Sequence, residues 1–178
     1  MTTLQRVFES RALSHGHQDM IPHMHQLHQL AQMCRSVVEF GVRTGQSTIA
    51  LAAGLESGGG GTLRSYDIAA ASVEVPQSAT VQWTFQRADT SKLDLIEPCD
   101  LLFIDTLHNA DQVEAELKHA AVVRRYIVFH DVYLFAHRGE NGGGIIKPIL
   151  EFLAGNPLWQ VMSYHHSDWG LLVLNRTA

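Results

Sequence analysis

The chain has 178 residues, of which 46% are hydrophobic and 17% charged, a length and balance that fit one folded domain with a sizeable core. This composition excludes a disordered tail, a coiled coil and a collagen-like rod. The formal net charge of −5 argues against a general nucleic-acid binder, because such a surface repels phosphate backbones. No apolar run approaches the ~20 residues that are needed to cross a bilayer.

Cysteine usage and the first residues of the chain indicate the compartment. The only cysteines, Cys34 and Cys99, form no CxxC or zinc-finger arrangement, which is typical of buried thiols in a reducing environment. The N-terminal residues lack the continuous apolar stretch of a signal peptide. We therefore expect a cytoplasmic protein with a single domain over residues 1–178 and with no membrane or nucleic-acid partner. A homo-oligomer is compatible with so short a chain.

Periodicity predicts the elements in chain order. Apolar residues recur at three- and four-residue steps after Pro22 and predict a helix that closes an N-terminal helical segment, residues 1–34. Strands are predicted at 36–40, 62–68, 81–87, 99–105, 126–131, 159–164 and 170–175, and helices at 46–55, 109–123 and 145–154. Strands that alternate with helices indicate an α/β fold with a doubly wound, mostly parallel sheet, and the last two strands suit an antiparallel hairpin. Between Ile68 and Val81 there is little helical periodicity.

A glycine-containing loop follows the first predicted strand and opens the next helix. It reads EFGVRTGQS over residues 39–47, and its glycines let the backbone turn sharply and approach a ligand closely. The spacing is G-x-x-x-G and lacks the G-x-G-x-x-G of dinucleotide enzymes. An acid at the end of the strand suits a cationic or polyhydroxyl ligand better than a pyrophosphate. The candidate ligand-binding residues of this loop are Glu39, Phe40, Gly41, Thr44, Gly45 and Ser47.

The second and third predicted strands also end in acids. Asp67 ends the second strand, where a carboxylate can accept hydrogen bonds from both ribose hydroxyls of a nucleoside cofactor. Ala88 and Asp89 follow the third strand, where Asp89 could meet an adenine amino group. We expect Glu39 and Asp67 to flank one crevice at the carboxyl ends of the strands. The alternative is a turn with glycines and helix-capping acids that bind no ligand.

Strands four and five end in Asp105 and in the pair His130-Asp131. Two carboxylates at one sheet edge repel each other unless a cation or a proton separates them, so a divalent metal held by Asp105, His130 and Asp131 would resolve the conflict. Oxygen ligands favour magnesium, and a histidine ligand favours manganese, iron or zinc. His108 follows Asp105 by three residues and is the candidate general base. The alternatives are a plain hydrogen bond for His108 at a helix start and no metal at His130.

The remaining histidines are interpreted as structural. The tract from His15 to His28 fits a solvated helix face, because no carboxylate or cysteine partner recurs at ligand spacing. His119 is expected on the polar side of its helix, and His165 and His166 are expected to face solvent. The loop 133–144 is glycine-rich, and four of its side chains could line or close a substrate site or belong to a static surface loop: Phe135, His137, Arg138 and Glu140.

The segments VVEFGVRTGQST, SYDI, ADT, CDLLFIDTLHNADQVEAEL, YIVFHDV and WGLLVLNR resemble class I S-adenosylmethionine-dependent methyltransferases. Within that family the chain is most similar to the branch of cephalosporin hydroxylase-type proteins and sugar O-methyltransferases. The resemblance implies a Rossmann-like sheet of seven strands whose last strand is antiparallel. It implies that Glu39, Gly41, Gly45 and Ser47 hold the methionine end of the cofactor, that Asp67 binds the ribose and that Ala88-Asp89 bind the adenine.

The resemblance also bears on catalysis. In metal-dependent relatives, an acid at the position of Asp105 and an acidic pair after strand five bind magnesium. Asp131 matches the second acid of that pair, and His130 replaces the first. His108 matches the base proposed in sugar O-methyltransferases, and Thr106 stands where relatives often have glycine. The leading hypothesis is therefore methyl transfer to a hydroxyl of a small metabolite or sugar, assisted by His108 and Asp105. Two alternatives are a cofactor-binding module without turnover and a metal-assisted hydrolase or hydroxylase.

Overall fold

The structure, a computed structural model, describes residues 1–14 and 19–177. The α-helices are α1 (Thr3–Ala12), α2 (Met24–Gln32), α3 (Gln46–Ser57), α4 (Ala110–Leu117) and α5 (Ile146–Gly155), and short 3₁₀-helices span Ile21–His23, Thr90–Lys92 and Lys118–Val122. The strands are β1 (Ser36–Phe40), β2 (Gly61–Asp67), β3 (Val81–Arg87), β4 (Cys99–Ile104), β5 (Val123–His130), β6 (Arg138–Gly139), β7 (Gly142–Gly143), β8 (Trp159–His165) and β9 (Leu171–Arg176). No helix among the described residues is long and apolar enough to span a membrane.

The main sheet has seven strands in the order β3-β2-β1-β4-β5-β9-β8. β1 pairs in parallel with β2, β2 with β3, and β4 with β5. β9 runs antiparallel to both β5 and β8. The α/β class, the mostly parallel sheet and the C-terminal antiparallel hairpin predicted from the sequence are thereby confirmed.

The first of two compact units, Met1–Ala88, contains α1 to α3 and β1 to β3. α3 is buried from Ser47 to Leu55, because its residues are almost all small or apolar and both sides of the helix can pack. β1 is equally buried after its first residue. In register, β1 and β2 place Phe40 opposite Tyr66, so the two parallel strands end at the same edge of the sheet. No helix or strand occupies 68–80, as the weak periodicity predicted.

The second unit, Asp89–Ala178, contains the remaining elements, and the single domain expected from the sequence stays a prediction. β4 is buried from Leu101 to Ile104, as its apolar run predicted. The predicted helix 109–123 is wrong in its last third, because α4 ends at Leu117 and a 3₁₀-helix follows. β5 begins at Val123 rather than at 126. The exposed arginines at its start hid the strand, and one of them, Arg124, pairs with Asp100 at 2.9 Å.

Candidate active site

The glycine loop between β1 and α3 has a backbone that only glycine adopts easily at its end. Gly45 is the residue before α3 and has φ of 75°, in the left-handed region. A Cβ on Gly45 would lie 2.3 Å from Cβ of Val73, so a larger residue would also collide with the segment after β2. The loop is thus closed on one side by Val73, and Ser72 hydrogen-bonds to the carbonyl of Arg43 at 2.9 Å.

Glu39 lies beneath this loop and is fully buried. Its carboxylate accepts hydrogen bonds from the hydroxyls of Ser47 at 2.6 Å, Thr48 at 2.9 and 3.0 Å, and Ser65 at 2.6 Å. The carboxylate therefore ties β1 to α3 and to β2. The expectation that the Glu39 carboxylate flanks an open crevice is wrong for this structure, because hydroxyl groups surround it; a direct cofactor contact stays a prediction.

Asp67 ends β2 and reaches the glycine loop, as the parallel register predicted. One carboxylate oxygen accepts the backbone N–H of Val42 at 2.8 Å and of Arg43 at 3.1 Å, and the other accepts the N–H of Ala69 at 2.8 Å. Phe40 is buried edge-on against Tyr66, with ring centroids 5.7 Å apart. Thr44 is exposed. The loop and the proposed ribose acid are therefore adjacent, and their contacts with a cofactor stay predictions.

Ala88 and Asp89 follow β3. The N–H of Ala88 donates to the Asp67 carbonyl at 2.9 Å. Asp89 caps the 3₁₀-helix Thr90–Lys92, where its carboxylate pairs with Lys92 at 2.8 Å and accepts the Ser91 hydroxyl at 2.6 Å. These bonds, above all that with Lys92, hold the pKa of Asp89 below its usual value. Asp89 is thus a helix-capping acid in this structure, and its adenine contact stays a prediction.

Four predicted side chains meet after β4 and β5. The Nε2 atom of His108 lies 2.6 Å from a carboxylate oxygen of Asp131 and 3.5 Å from one of Asp105. The Nδ1 atom of His130 lies 2.8 Å from Asp131 and 3.4 Å from Asp105. Asp131 is buried and has φ of 62°, a conformation that a non-glycine residue adopts at a cost. Each imidazole thus faces both carboxylates.

A fifth side chain, Glu140, completes this group, which we call the His108 cluster: Asp105, His108, His130, Asp131 and Glu140. Its carboxylate lies 2.8 Å from Nδ1 of His108, so both ring nitrogens of His108 face acids. The N–H of Glu140 donates to the His108 carbonyl at 3.0 Å. Gly139 permits this approach, because a Cβ there would lie 2.3 Å from the same carbonyl oxygen. Phe135 stacks on the His108 ring, with the ring centroids 4.4 Å apart and an angle of 4° between the ring planes.

The electrostatics of the cluster follow from these contacts. Burial alone would lower the pKa of His108, but its hydrogen bonds with Asp105, Asp131 and Glu140 raise the pKa to about 10. For His130, burial is likewise outweighed by Asp105 and Asp131, which raise the pKa to about 10. Burial would raise the pKa values of the two aspartates, yet both are lowered by the histidines. The carboxylates of Asp105 and Asp131 therefore favour the protonated form of both imidazoles at neutral pH.

The metal hypothesis changes in detail. The donor atoms that converge within 4.8 Å of one another belong to Asp105, His108 and Asp131, among the described residues. The sequence predicts Asp105, His130 and Asp131 as ligands; in this group His108 stands in place of His130, which contacts the same carboxylates. The repulsion between Asp105 and Asp131, from which the sequence predicted a metal, is relieved by the two imidazolium groups. Metal binding stays a prediction.

Sequence reasoning missed a buried glutamate near this cluster. Glu116 on α4 is fully buried, and its carboxylate accepts hydrogen bonds from Thr90, from Thr106 at 2.9 Å and from Gln112 at 2.7 Å. Burial raises its pKa, although these donors act in the opposite direction. The sequence contained an indication of this burial, because Glu116 lies three residues after Val113 and one before Leu117, on the apolar face of the helix. Thr106 thus donates its side-chain hydroxyl to the Glu116 carboxylate.

The other histidines depart in part from the prediction. His23 is buried rather than solvated, and His28 stacks on Phe8 with ring centroids 4.6 Å apart. His25 is exposed, as are His165 and His166. His119 is fully buried rather than polar-facing, because the 3₁₀ turn after α4 rotates it inward. His15 and His17 lie outside the described residues.

Comparison with known proteins decides the family. A sequence model described as a methyltransferase domain matches residues 38–132, more than half of the chain. The chain belongs to this methyltransferase family. The antiparallel β9 between β5 and β8 agrees with the class I S-adenosylmethionine-dependent enzymes that the motifs resemble, and the chain is a methyltransferase. No curated protein sequence matches it.

Solved structures show the same fold at low sequence identity. The O-methyltransferase from Bacillus cereus in complex with S-adenosylhomocysteine has a TM-score of 0.61 and 18% identity, covering 98% of this methyltransferase and 89% of that chain. The O-methyltransferase TomG from Streptomyces achromogenes, involved in tomaymycin synthesis and bound to S-adenosylmethionine, has a TM-score of 0.60 and 21% identity, and the match covers 98% of this chain and 86% of that chain. A methyltransferase from Podospora anserina bound to S-adenosylhomocysteine has a TM-score of 0.59 and 12% identity, and the match covers 100% of this chain and 89% of that chain.

Proposed function

We propose that this methyltransferase moves the methyl group of S-adenosylmethionine to a hydroxyl oxygen of a small hydroxylated metabolite or sugar. The observation that carries the proposal is the ring of His108, held between Asp131 at 2.6 Å and Glu140 at 2.8 Å after β4 and β5. The hydroxyl oxygen attacks the methyl carbon, the S–CH₃ bond breaks with its electron pair on sulfur, and the hydroxyl proton leaves. A histidine oriented by carboxylates suits this proton transfer.

The cofactor would bind over the glycine loop. Its contacts are proposed at Phe40, Gly41, Thr44, Gly45 and Ser47 for the methionine portion, at Asp67 for the ribose, and at Ala88 and Asp89 for the adenine, whereas Glu39 is proposed to act indirectly. The hydrogen bonds from Val42 and Arg43 to Asp67 support this assignment, because they keep the loop beside the ribose acid. Glu39 acts through Ser47 and Thr48, which it fixes at the start of α3.

His108 needs a free nitrogen to accept a proton, and Glu140 is the partner that can leave. Glu140 belongs to the glycine-rich loop, and its side chain is 43% exposed, against 2% for Asp131. When a substrate hydroxyl displaces Glu140, His108 loses one of the contacts that raise its pKa, and the Nδ1 proton leaves to solvent with the departing Glu140 side chain before the ring acts as a base. Nδ1 then faces the hydroxyl, while Asp131 still orients the ring through Nε2. A carboxylate oxygen of Asp105, 3.5 Å from Nε2, helps Asp131 to orient the ring.

A divalent cation fits the same residues. Asp105, His108 and Asp131 offer two carboxylates and an imidazole, a donor set that suits manganese or magnesium. Such an ion, when bound, supplies positive charge that lowers the pKa of a substrate hydroxyl. Metal assistance, a cytoplasmic location and the oligomeric state remain proposals that the sequence motivates.

The first experiment is calorimetry with S-adenosylhomocysteine, followed by transfer of a labelled methyl group to a panel of sugars, catechols and small metabolites. We expect binding by the wild type, weaker binding by Asp67→Asn, and turnover of at least one panel member. His108→Asn should lower kcat about 100-fold or more with cofactor affinity unchanged, since general-base catalysis contributes that much. His165→Asn is the matched control, because His165 is exposed on β8.

Each contrary outcome selects another function. No heat with S-adenosylhomocysteine at millimolar concentration would remove the cofactor proposal. Binding without transfer to any panel member would favour a cofactor-binding module. Hydrolase or hydroxylase activity that survives Asp67→Asn would indicate a metal-assisted reaction at the His108 cluster. Calorimetric titration of Mn²⁺ into wild type and Asp105→Asn tests the cation separately, with loss of affinity expected in the variant.

A further inference from the structure

The first helix places a cation on the glycine loop. The Nη1 atom of Arg11, near the end of α1, lies 3.3 Å from the carbonyl oxygen of Thr44, 3.2 Å from that of Gly45 and 3.5 Å from the side-chain oxygen of Gln46. All three acceptors are neutral. Burial lowers the pKa of Arg11, because these dipoles replace only part of its hydration. A guanidinium that is half-buried among neutral oxygens is stabilised further by an anion.

Several donors of the loop itself are already used inside the protein. The Ser47 hydroxyl gives its proton to Glu39 and so cannot also donate it to a ligand. Four backbone N–H groups of the loop have acceptors, which are the Tyr66 carbonyl for Gly41, the Asp67 carboxylate for Val42 and Arg43, and the Val42 carbonyl for Gly45. These donors are therefore unavailable to an anionic group bound here, and a cation from outside the loop would strengthen its binding.

Arg43 is the second cation on the loop, and it is committed elsewhere. Its guanidinium pairs with Asp19 at 3.0 Å, and its side chain is 74% exposed. By contrast, the side-chain hydrogen bonds of Arg11 within the described part of the chain run through Nη1. Since a guanidinium has five N–H donors, those on Nη2 and Nε can meet a carboxylate in the two-bond geometry that arginine favours.

We propose that Arg11 binds the carboxylate of the methionine portion of S-adenosylmethionine. This inference rests on the proposed function and adds a residue from α1 to the cofactor site. It gives α1 a role in recognition: the helix holds the loop through the carbonyls of Thr44 and Gly45 and presents its charge to the ligand. Recognition of the amino-acid end would then separate S-adenosylmethionine from nucleosides that lack it.

The test uses two ligands that share the nucleoside and differ in the carboxylate. S-adenosylhomocysteine carries the amino-acid end, and 5′-methylthioadenosine lacks it. In Arg11→Gln, we expect the affinity for S-adenosylhomocysteine to fall about 10- to 100-fold, which is the loss of a hydrogen-bonded charge pair, with little change for 5′-methylthioadenosine. Arg11→Lys, which keeps the charge without the planar fork, should recover part of the preference and remains informative if Arg11→Gln does not fold.

The matched control is Arg6→Gln on the same helix, because Arg6 is exposed and its side chain bonds only to Thr3 among the described residues. It should leave both affinities unchanged. An equal loss for both ligands in Arg11→Gln and Arg11→Lys would show that Arg11 only docks α1 on the loop, and would overturn the inference. So would an unchanged preference for S-adenosylhomocysteine. If the wild type binds neither ligand, the proposed function itself fails.

Discussion

The buried carboxylate of Glu39 can be tested by one conservative change, E39Q. The variant keeps the length and nearly the volume of the side chain but removes its charge and one of its acceptor oxygens. In the structure, this carboxylate is fully buried and accepts hydrogen bonds from the hydroxyls of Ser47, Thr48 and Ser65. We expect E39Q to fold and to be clearly less stable than the wild type.

The magnitude follows from the hydrogen bonds. A hydrogen bond to a charged group contributes about 1.5–3 kcal/mol, and a buried donor left without an acceptor costs about 1–3 kcal/mol. In E39Q the amide oxygen keeps one acceptor position, and the amide nitrogen faces a hydroxyl that had been donating. Hydroxyl rotation recovers part of the loss, so the free energy of unfolding should fall by about 2–4 kcal/mol. For a chain of this size, the Tm should drop by roughly 5–15 °C.

Urea and thermal unfolding of E39Q measure this effect, with Glu74→Gln as the control. Glu74 is exposed in the same unit, so its variant should stay within about 0.5 kcal/mol of the wild type. A double-mutant cycle with Ser65→Ala should give a coupling energy above about 0.5 kcal/mol, since the two side chains are 2.6 Å apart. If E39Q is as stable as the wild type yet loses S-adenosylhomocysteine binding, the reasoning is refuted, and Glu39 contacts the cofactor directly.

Two further predictions concern pH and the glycine loop. Because the folded pKa values of His108 and His130 are raised to about 10, their contribution to the free energy of unfolding should be complete below about pH 6.5 and decline as pH rises towards 10. The midpoint of urea unfolding should therefore fall with pH across this range, and it should fall less steeply for His130→Gln than for the wild type. An equal slope for the two proteins would contradict the pKa assignment. Gly45→Ala should destabilise by about 2 kcal/mol or more, because it combines a positive φ with a collision against Val73. Gly155→Ala, where a Cβ meets nothing within 4 Å, should change stability by less than about 0.5 kcal/mol.

The sequence predicted the sheet and the neighbourhood of the site, because both depend on backbone periodicity. Parallel strands with alternating helices bring their carboxyl ends to one edge, so the meeting of Asp67 with the glycine loop followed from strand order alone. The same reasoning placed Asp105 near Asp131, and both contact His108. The ends of the strands of the main sheet were predicted to within a few residues, because they follow from the same periodicity.

Side-chain pairing was beyond reach, because it depends on rotamers and on distances of tenths of an ångström. The expected proximity of Asp105 and Asp131 indicated a need for positive charge, but sequence alone could not show that His108 and His130 face both carboxylates. Nor could it show that Glu140 returns to His108 from 32 residues away, since the glycine-rich loop fits many conformations. A metal was the simplest inference from charge, and the structure offers a second solution to the same electrostatic problem.

Each compact unit contains a buried glutamate that accepts several hydrogen bonds, Glu39 near the end of β1 and Glu116 on α4. Glu39 fixes the start of α3 below the glycine loop. Glu116 accepts hydrogen bonds from Thr106, which directly follows Asp105, and from Thr90, which directly follows Asp89. In a dry interior such a network is rigid when every donor is satisfied and costly when one is missing. The threonine that stands where relatives often have glycine is therefore explained by packing chemistry: Thr106 donates to Glu116 and so fixes the backbone from which Asp105 reaches His108.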